Sequence, residues 1–164
     1  MDRAFSVRVE GVRFAAAHFA TFGGGCEPLH GHSYEVAAEI EGGLTNDSWV
    51  IDFVELKSIL RGIAEVVDHK FLLQSESRAL EIEQTRSAWK VRTPAGVGYV
   101  LPAADVVALP IDNTTAERLS EWFAERVLED LDDRKARNVH RVAVEVWEGP
   151  GQRATHRLER LPQD

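Results

Sequence analysis

Cysteine is almost missing from this sequence, since Cys26 is the only one among 164 residues. A single thiol cannot form an internal disulfide, so an oxidising compartment would add nothing to the stability of the fold. The chain also lacks any apolar run of the roughly 18–20 residues that a transmembrane helix needs. Near the N-terminus, Arg8, Glu10 and Arg13 interrupt the apolar core that a signal peptide requires. We therefore expect a cytoplasmic protein without a membrane partner.

Positive charge is the second shortage. The chain has 19 Lys and Arg residues against 27 Asp and Glu residues, which gives a formal net charge of −8 at pH 7. A protein this acidic lacks the basic surface that binds a phosphate backbone, so we expect no nucleic-acid partner. With 44% hydrophobic and 28% charged residues, the composition is that of an ordinary globular protein. We expect one domain over residues 1–164.

Apolar periodicity predicts four long strands, in which hydrophobic and polar residues alternate. They cover residues 5–18, 30–41, 141–148 and 152–158. Gly11 interrupts the alternation in the first strand and predicts a β-bulge there. Residues 21–29, which contain Gly23-Gly24-Gly25, are expected to form a long mobile loop between the first two strands.

Two helices are predicted between the second and third strands. Asp52 is the N-cap candidate of the first helix, whose apolar stripe runs to Val67. The second begins at Thr114-Thr115-Ala116-Glu117, a capping-box pattern. Between them lies an insert, about residues 74–110, in which Pro94-Ala95-Gly96 predicts the turn of a hairpin. The order β-β-α-α-β-β predicts an α+β fold with an antiparallel four-stranded sheet.

The densest chemical signal is the motif Cys26-Glu27-Pro28-Leu29-His30-Gly31-His32. His30 and His32 are two residues apart on a predicted strand, so their imidazoles project from the same face. His18 ends the preceding strand and is expected opposite them across the hairpin. Three neutral imidazoles on one surface suit Zn²⁺ with an open fourth position, as in catalytic zinc sites. The alternative is a surface or partly buried pair of histidines that binds no metal.

This motif and its neighbours resemble the 6-pyruvoyl-tetrahydropterin synthase superfamily, and the spacing is nearest to its bacterial 6-carboxytetrahydropterin synthase branch. The residues that carry the resemblance span nearly the whole chain: Ala16-Ala17-His18, Cys26 with His30-Gly31-His32, Val50-Ile51-Asp52-Phe53 with Leu56-Lys57, Asp68-His69, Thr115-Ala116-Glu117 and Glu148. The resemblance implies the tunnelling fold, with both helices on one face of the sheet. It also implies trimers that pair into hexamers, with active sites between subunits.

The resemblance also assigns roles to individual residues. The implied site has His18, His30 and His32 as Zn²⁺ ligands, Cys26 as catalytic thiol, Asp68 and His69 as the dyad that works with it, and Glu148, Thr115 and Glu117 as substrate contacts. Simpler explanations stay open for four features: a small buried hydrophobe at Cys26, a helix end at Asp68-His69, a capping residue at Glu117 and a solvated strand end at Glu148.

The substrate that this family implies is 7,8-dihydroneopterin triphosphate. The implied product is 6-carboxy-5,6,7,8-tetrahydropterin, on the way to 7-deazaguanine compounds such as queuosine. Glu27 leaves a second reaction open, because a sister branch with glutamate at this spacing cleaves the side chain to 6-hydroxymethyl-dihydropterin by a retro-aldol step. Synthesis of 6-pyruvoyl-tetrahydropterin and a non-catalytic module that binds a pterin or purine are further alternatives. We expect the long insert to cover the pterin pocket or a subunit interface.

Overall fold

The computed structural model describes residues 4–160, which build a six-stranded sheet, a three-stranded sheet, a two-stranded hairpin and two α-helices. In chain order the strands are β1 (Phe5–His18), β2 (Thr21–Phe22), β3 (Gly25–Cys26), β4 (His30–Gly42), β5 (Lys70–Gln74), β6 (Glu81–Gln84), β7 (Ala88–Arg92), β8 (Gly98–Pro102), β9 (Val106–Leu109), β10 (Val139–Gly149) and β11 (Gln152–Glu159). The helices are α1 (Phe53–Val67) and α2 (Ala116–Asp133). Neither of these two helices is long and apolar enough to cross a membrane.

Four antiparallel strands, in the order β11-β10-β4-β1, confirm the predicted α+β core. Strands β1 and β4 pair with His18 opposite His30 and Ala16 opposite His32. Because side chains alternate across a strand, the three histidines project from the same face of the sheet. Ala16, which shares this face, belongs to the main hydrophobic core together with the apolar stripes of α1 and α2. Both helices therefore pack on the face that carries the histidines.

A β-bulge divides β1 into two halves. The register with β4 shifts between Val9 and Val12, so that β1 carries one extra residue there. Gly11 lies at this point with φ of 75°, a left-handed conformation that glycine adopts without steric cost. As a result, Val9 faces the core before the bulge, whereas even-numbered residues such as Phe14 face it afterwards. The bulge lies at the predicted position.

Both helices begin at residues whose side chains cap them. Asp52 accepts a hydrogen bond from the Val54 N–H at 2.9 Å, which confirms it as the N-cap of α1. The N-cap of α2 is Thr115, one residue later than the capping-box pattern that starts at Thr114. Glu117 is therefore the second helical residue, and the predicted capping box does not form.

The prediction of a four-stranded antiparallel sheet is wrong in the number and direction of its strands. Strand β5 pairs with β1, and β9 pairs with β5, both in parallel, so the sheet is mixed and has six strands. Nearly every side chain of β5 is buried, and it therefore lacks the alternation that marks a half-exposed strand. Strand β9 is a short apolar run inside the insert, where only a hairpin was predicted.

Residues 21–29 begin with a tight hairpin, which corrects the expectation of a long mobile loop. Strands β2 and β3 pair in antiparallel fashion, with Thr21 opposite Cys26. Gly23 and Gly24 join them with φ of 56° and 77°, and positive φ at both central positions is typical of two-residue hairpin turns. This hairpin determines where the chain presents Cys26 and the following Glu27.

The insert between the helices forms a second sheet of three antiparallel strands, β6, β7 and β8. The predicted hairpin is confirmed as β7 and β8. The small sheet packs on a hydrophobic cluster separate from the main core, which we call the satellite cluster. Its buried members are Phe19, Phe71, Leu73, Leu80 and Val91, with Ala17, Cys26, Ile82, Trp89, Tyr99, Leu101 and Val106 packed against them.

Candidate metal centre and active site

Three histidines form a compact group, the histidine trio, where β1 ends and β4 begins. Ring nitrogens of His18, His30 and His32 all lie within 4.8 Å of one another. The Nε2 atoms of His30 and His32 are 3.1 Å apart. Two ligands of a tetrahedral Zn²⁺ with bonds of about 2.0–2.1 Å are roughly 3.3 Å apart. The spacing of this pair therefore suits ligands of one shared ion.

Two of the three rings bind backbone carbonyls through their other nitrogen. His18 Nδ1 donates to the Thr114 carbonyl at 2.9 Å, and His30 Nδ1 donates to the Pro28 carbonyl at 2.7 Å. These acceptors assign the proton to Nδ1, so each Nε2 presents a lone pair to the interior of the trio. A hydrogen bond from the outer nitrogen to a carbonyl is typical of metal-binding histidines.

His18 tests whether the trio fits a metal ion. Its side chain is only 2% exposed, and its Nε2 has no hydrogen-bond partner among the described residues. Burial lowers the pKa of His18 to about 4, so the ring is neutral at pH 7. A buried nitrogen without a partner costs about 1–3 kcal/mol, which a metal bond would offset. The trio therefore fits a divalent ion such as Zn²⁺ and leaves its fourth position open.

Three carboxylates line the same pocket as the histidine trio, those of Glu27, Glu117 and Glu148. Glu27 Oε2 accepts a hydrogen bond from the Ala20 N–H at 3.0 Å and lies 4.0 Å from His30 Nε2. Glu148 lies near the end of β10, where burial raises the pKa of its carboxyl above the ordinary value. The pocket thus combines nitrogens that could ligate a metal with acidic side chains suited to proton transfer or to binding N–H donors.

The first turn of α2 forms another wall of this pocket through Thr115 and Glu117. Thr115 Oγ1 accepts a hydrogen bond from the Arg118 N–H at 3.4 Å and so caps the helix. Glu117 takes no part in capping, and its carboxylate is available to a ligand. Among the described residues, none from the insert lines the pocket, so the expectation that the insert covers it does not hold within one chain.

Asn113 and Thr114 hold the chain that follows β1, and the sequence alone did not identify them. The Asn113 side chain exchanges two hydrogen bonds with the Thr21 backbone, at 3.0 and 2.7 Å. Thr114 is fully buried; its carbonyl accepts from His18, and its Oγ1 donates to the Phe19 carbonyl at 3.2 Å. These partners are 92–96 residues apart in the chain, so no local pattern could reveal them.

Arg153 on β11 also lines the pocket and was not predicted. Its guanidinium lies 5.5 Å from the centre of the Trp147 ring, and its Nη1 is 3.5 Å from Glu145 Oε2. Among the described lining residues it is the one Lys or Arg side chain. Its charge suits contact with an anionic group of a ligand.

Cys26 is not among the residues that line the pocket. Its partly buried side chain packs against the satellite cluster. Burial, with the charge of Glu27 as a smaller cause, raises the pKa of the Cys26 thiol above its ordinary value. The structure therefore brings Glu27 beside the histidine trio and places the thiol of its neighbour against apolar side chains.

Asp68 and His69 contact each other but lie outside the pocket of their own chain. Asp68 Oδ1 accepts a hydrogen bond from the Ala15 N–H at 2.8 Å, and its Oδ2 is 2.9 Å from His69 Nδ1. The Ala15 N–H and then the His69 ring hold the pKa of Asp68 below its ordinary value. The His69 side chain is 81% exposed, which leaves it accessible to another molecule.

Comparison with known proteins adds a family relationship to this geometry. A model of the 6-pyruvoyl tetrahydropterin synthase family matches residues 6–159. A Methanocaldococcus jannaschii protein with the provisional name 6-carboxy-5,6,7,8-tetrahydropterin synthase is 33% identical over 150 residues, which cover 90% of each chain. A Haemophilus influenzae protein named 6-carboxy-5,6,7,8-tetrahydropterin synthase is 29% identical over 133 residues, which cover 77% of this chain and 80% of the relative.

Solved structures show the same relationship. The crystal structure of 6-pyruvoyl tetrahydropterin synthase from Plasmodium vivax superposes with a TM-score of 0.90 at 32% sequence identity, covering 96% of this chain and 99% of that one. A variant of the same Plasmodium protein, with the same TM-score, identity and coverage, has a glutamate described as a catalytic residue replaced by alanine. Both likenesses extend over nearly the full described fold.

Proposed function

Because this chain belongs to the 6-pyruvoyl tetrahydropterin synthase family, we propose that it is a zinc-dependent lyase that converts 7,8-dihydroneopterin triphosphate to 6-carboxy-5,6,7,8-tetrahydropterin. The observation that carries the proposal is the histidine trio, whose buried His18 Nε2 has no partner among the described residues, in a pocket that also contains Glu148. The names of the Methanocaldococcus and Haemophilus relatives support this product. The reaction consumes one water molecule and releases acetaldehyde and triphosphate.

Different residues of the pocket bind different parts of the substrate. Zn²⁺ held by the histidine trio would act as a Lewis acid toward the side-chain oxygens of the substrate. Glu148 accepts hydrogen bonds from the 2-amino-pyrimidinone edge of the pterin, a bidentate contact that strengthens as its carboxylate loses water. Thr115 and Glu117 contact the substrate at the start of α2. Arg153 supplies positive charge for the phosphates in a pocket that is otherwise rich in carboxylates.

The group that removes a proton is either Cys26 or Glu27. The family motif assigns the role to the Cys26 thiol, which must become a thiolate to act as a base. Its raised pKa opposes that ionisation. Glu27 lies in the pocket, 4.0 Å from His30 Nε2, where its carboxylate can act as a general base.

Glu27 favours a second candidate function, the retro-aldol cleavage that yields 6-hydroxymethyl-dihydropterin. In that reaction the base takes a proton from the 2′-hydroxyl, and the C1′–C2′ bond breaks to release glycolaldehyde triphosphate. C1′ is then protonated and becomes the hydroxymethyl carbon. The position of Glu27 within the pocket supports this candidate.

In this proposal Asp68 and His69 act in the active site of a neighbouring subunit. Because the dyad is exposed and lies outside its own chain's pocket, we infer that an active site contains the histidine trio of one subunit and the dyad of the next, in a trimer or hexamer. Mixing a His30→Ala variant with a His69→Ala variant under conditions that exchange subunits would then restore part of the activity. Failure to recover any activity in a mixture shown to contain both chains would contradict shared sites.

The products decide between the two functions. Zinc-loaded protein is incubated with 7,8-dihydroneopterin triphosphate, and pterins and aldehydes are identified by mass spectrometry. We expect 6-carboxy-5,6,7,8-tetrahydropterin with acetaldehyde, and loss of that product in Cys26→Ala. A 6-hydroxymethyl product that survives Cys26→Ala and disappears in Glu27→Gln would establish the second candidate. Absence of turnover in the zinc-loaded oligomer would refute both.

A further inference from the structure

The end of β1 has different partners on its two faces. Phe14 and Ala16 point into the main core beneath the helices, on the side of the histidine trio. Ala17 and Phe19, on the other side, belong to the satellite cluster that the inserted sheet covers. The insert therefore supports the end of β1 from the face of the sheet opposite to the histidine trio.

Phe19 connects the inserted sheet to the candidate metal ligand His18, which directly precedes it in the sequence. Its ring is fully buried, with its centre 5.2 Å from that of Phe71 and 5.3 Å from that of Tyr99. Its carbonyl accepts two hydrogen bonds, from Gln74 Nε2 at 3.0 Å and from Thr114 Oγ1 at 3.2 Å. Since Thr114 also binds the His18 ring, a shift of Phe19 must alter the support of the ligand.

The β2–β3 hairpin, which leads into the two candidate bases Cys26 and Glu27, rests on the same cluster. Cys26 packs among its side chains. Glu27 is tied to Ala20 twice, because its N–H donates to the Ala20 carbonyl at 2.9 Å and its Oε2 accepts from the Ala20 N–H at 3.0 Å. The position of the Glu27 carboxylate thus depends on residues directly next to Phe19.

We propose that the inserted sheet β6–β8 is a positioning element of the active site, and that Tyr99 acts through Phe19 to hold His18 and the Cys26–Glu27 pair in place. The inference deepens the proposed function, on which it rests for the roles of these residues. Tyr99 is a positioning residue and touches neither metal nor substrate. Its ring, and not its hydroxyl, makes the contact with Phe19.

The test compares three variants of the full chain. Tyr99→Ala removes the ring, Tyr99→Phe keeps it, and Val100→Ala is the matched control, because Val100 is the next residue on β8 and is 70% exposed on the opposite face. Co²⁺ binding, followed by the visible spectrum, reports the ligand geometry of the trio. The rate of alkylation by iodoacetamide reports a single site, because Cys26 is the only cysteine in the sequence.

We expect Tyr99→Ala to weaken Co²⁺ binding about tenfold, the size of effect typical when the support of a metal ligand is removed. Alkylation of Cys26 should become about tenfold faster as the cluster opens locally. Tyr99→Phe and Val100→Ala should remain within about twofold of the unmodified protein in both assays. Thermal unfolding of each variant, monitored by far-ultraviolet circular dichroism, shows that the main core is retained; if Tyr99→Ala does not fold, Tyr99→Leu takes its place.

Two results would overturn the proposal. One is a Tyr99→Ala protein that matches Val100→Ala in both assays, and the other is a Tyr99→Phe protein as impaired as Tyr99→Ala. Neither assay needs substrate, so failure of the proposed function is seen separately. A protein without turnover that still shows the expected pattern refutes the function and retains the positioning role.

Discussion

Protonation of His18 should make the metal-free protein unstable in mild acid. Burial lowers the pKa of this side chain from the ordinary value of 6.5 to about 4. In the unfolded chain the ring binds its proton near pH 6.5, whereas the folded protein resists protonation until about pH 4. The unfolded state therefore binds more protons in this window, and folding stability must fall as pH decreases. Each tenfold difference in proton affinity is worth about 1.4 kcal/mol, so the loss approaches about 3 kcal/mol.

Urea unfolding of metal-free protein between about pH 7 and pH 4 measures this loss. A His18→Gln variant removes the titrating ring and keeps an amide that can donate to the Thr114 carbonyl, while His140→Gln alters an exposed histidine of β10 and serves as the matched control. Carboxylates contribute equally to all three proteins. We expect the free energy of unfolding of His18→Gln to depend less steeply on pH, by up to about 3 kcal/mol across the window. The same pH dependence in His18→Gln and His140→Gln would refute the reasoning.

Three further predictions concern the same region. Zn²⁺ at about a thousand times its dissociation constant should raise the free energy of unfolding by about 4 kcal/mol, and calorimetry should show no such gain in His30→Ala; an equal gain would place the metal elsewhere. Tyr34→Phe should stabilise the protein by about 1 kcal/mol in urea unfolding, because its buried hydroxyl has no partner among the described residues; destabilisation would contradict this. Thr114→Val should cost about 1–2 kcal/mol and Thr114→Ser less, because only serine keeps the bond to Phe19; equal losses would rule out that hydrogen bond.

The elements that could be predicted are those that carry their own local signal. Asp52 caps α1 with its side chain, and β4 alternates buried and exposed residues along much of its length. Strand β5 carries no such signal, because nearly all of its side chains are buried and it pairs with β1, far away in the chain. Parallel strands of this kind are defined by tertiary pairing and not by an alternating pattern.

Some residues of the candidate site could likewise be predicted from local sequence patterns, and others could not. The histidine trio could be predicted, because a period of two on β4 and the pairing of β1 with β4 place the rings together. The choice between Cys26 and Glu27 could not, because they are consecutive and the fold of the β2–β3 hairpin decides which one enters the pocket. That fold depends on the turn at Gly23 and Gly24 and on packing against the insert, which no local pattern describes.

Because of the bulge at Gly11, the face of the sheet on which the candidate metal ligand His18 lies depends on whether the length of β1 changes by an odd or an even number of residues. Removing one residue there would restore uninterrupted pairing, but only by turning His18 to the back of the sheet or by turning Val9 out of the core. Removing or adding two residues keeps both orientations. The bulge lies seven positions before His18 and contacts no ligand. The number of residues at the bulge nevertheless determines which face of the sheet His18 occupies. Insertions or deletions of two residues in β1 should therefore leave the protein folded, whereas insertions or deletions of one residue should destabilise it.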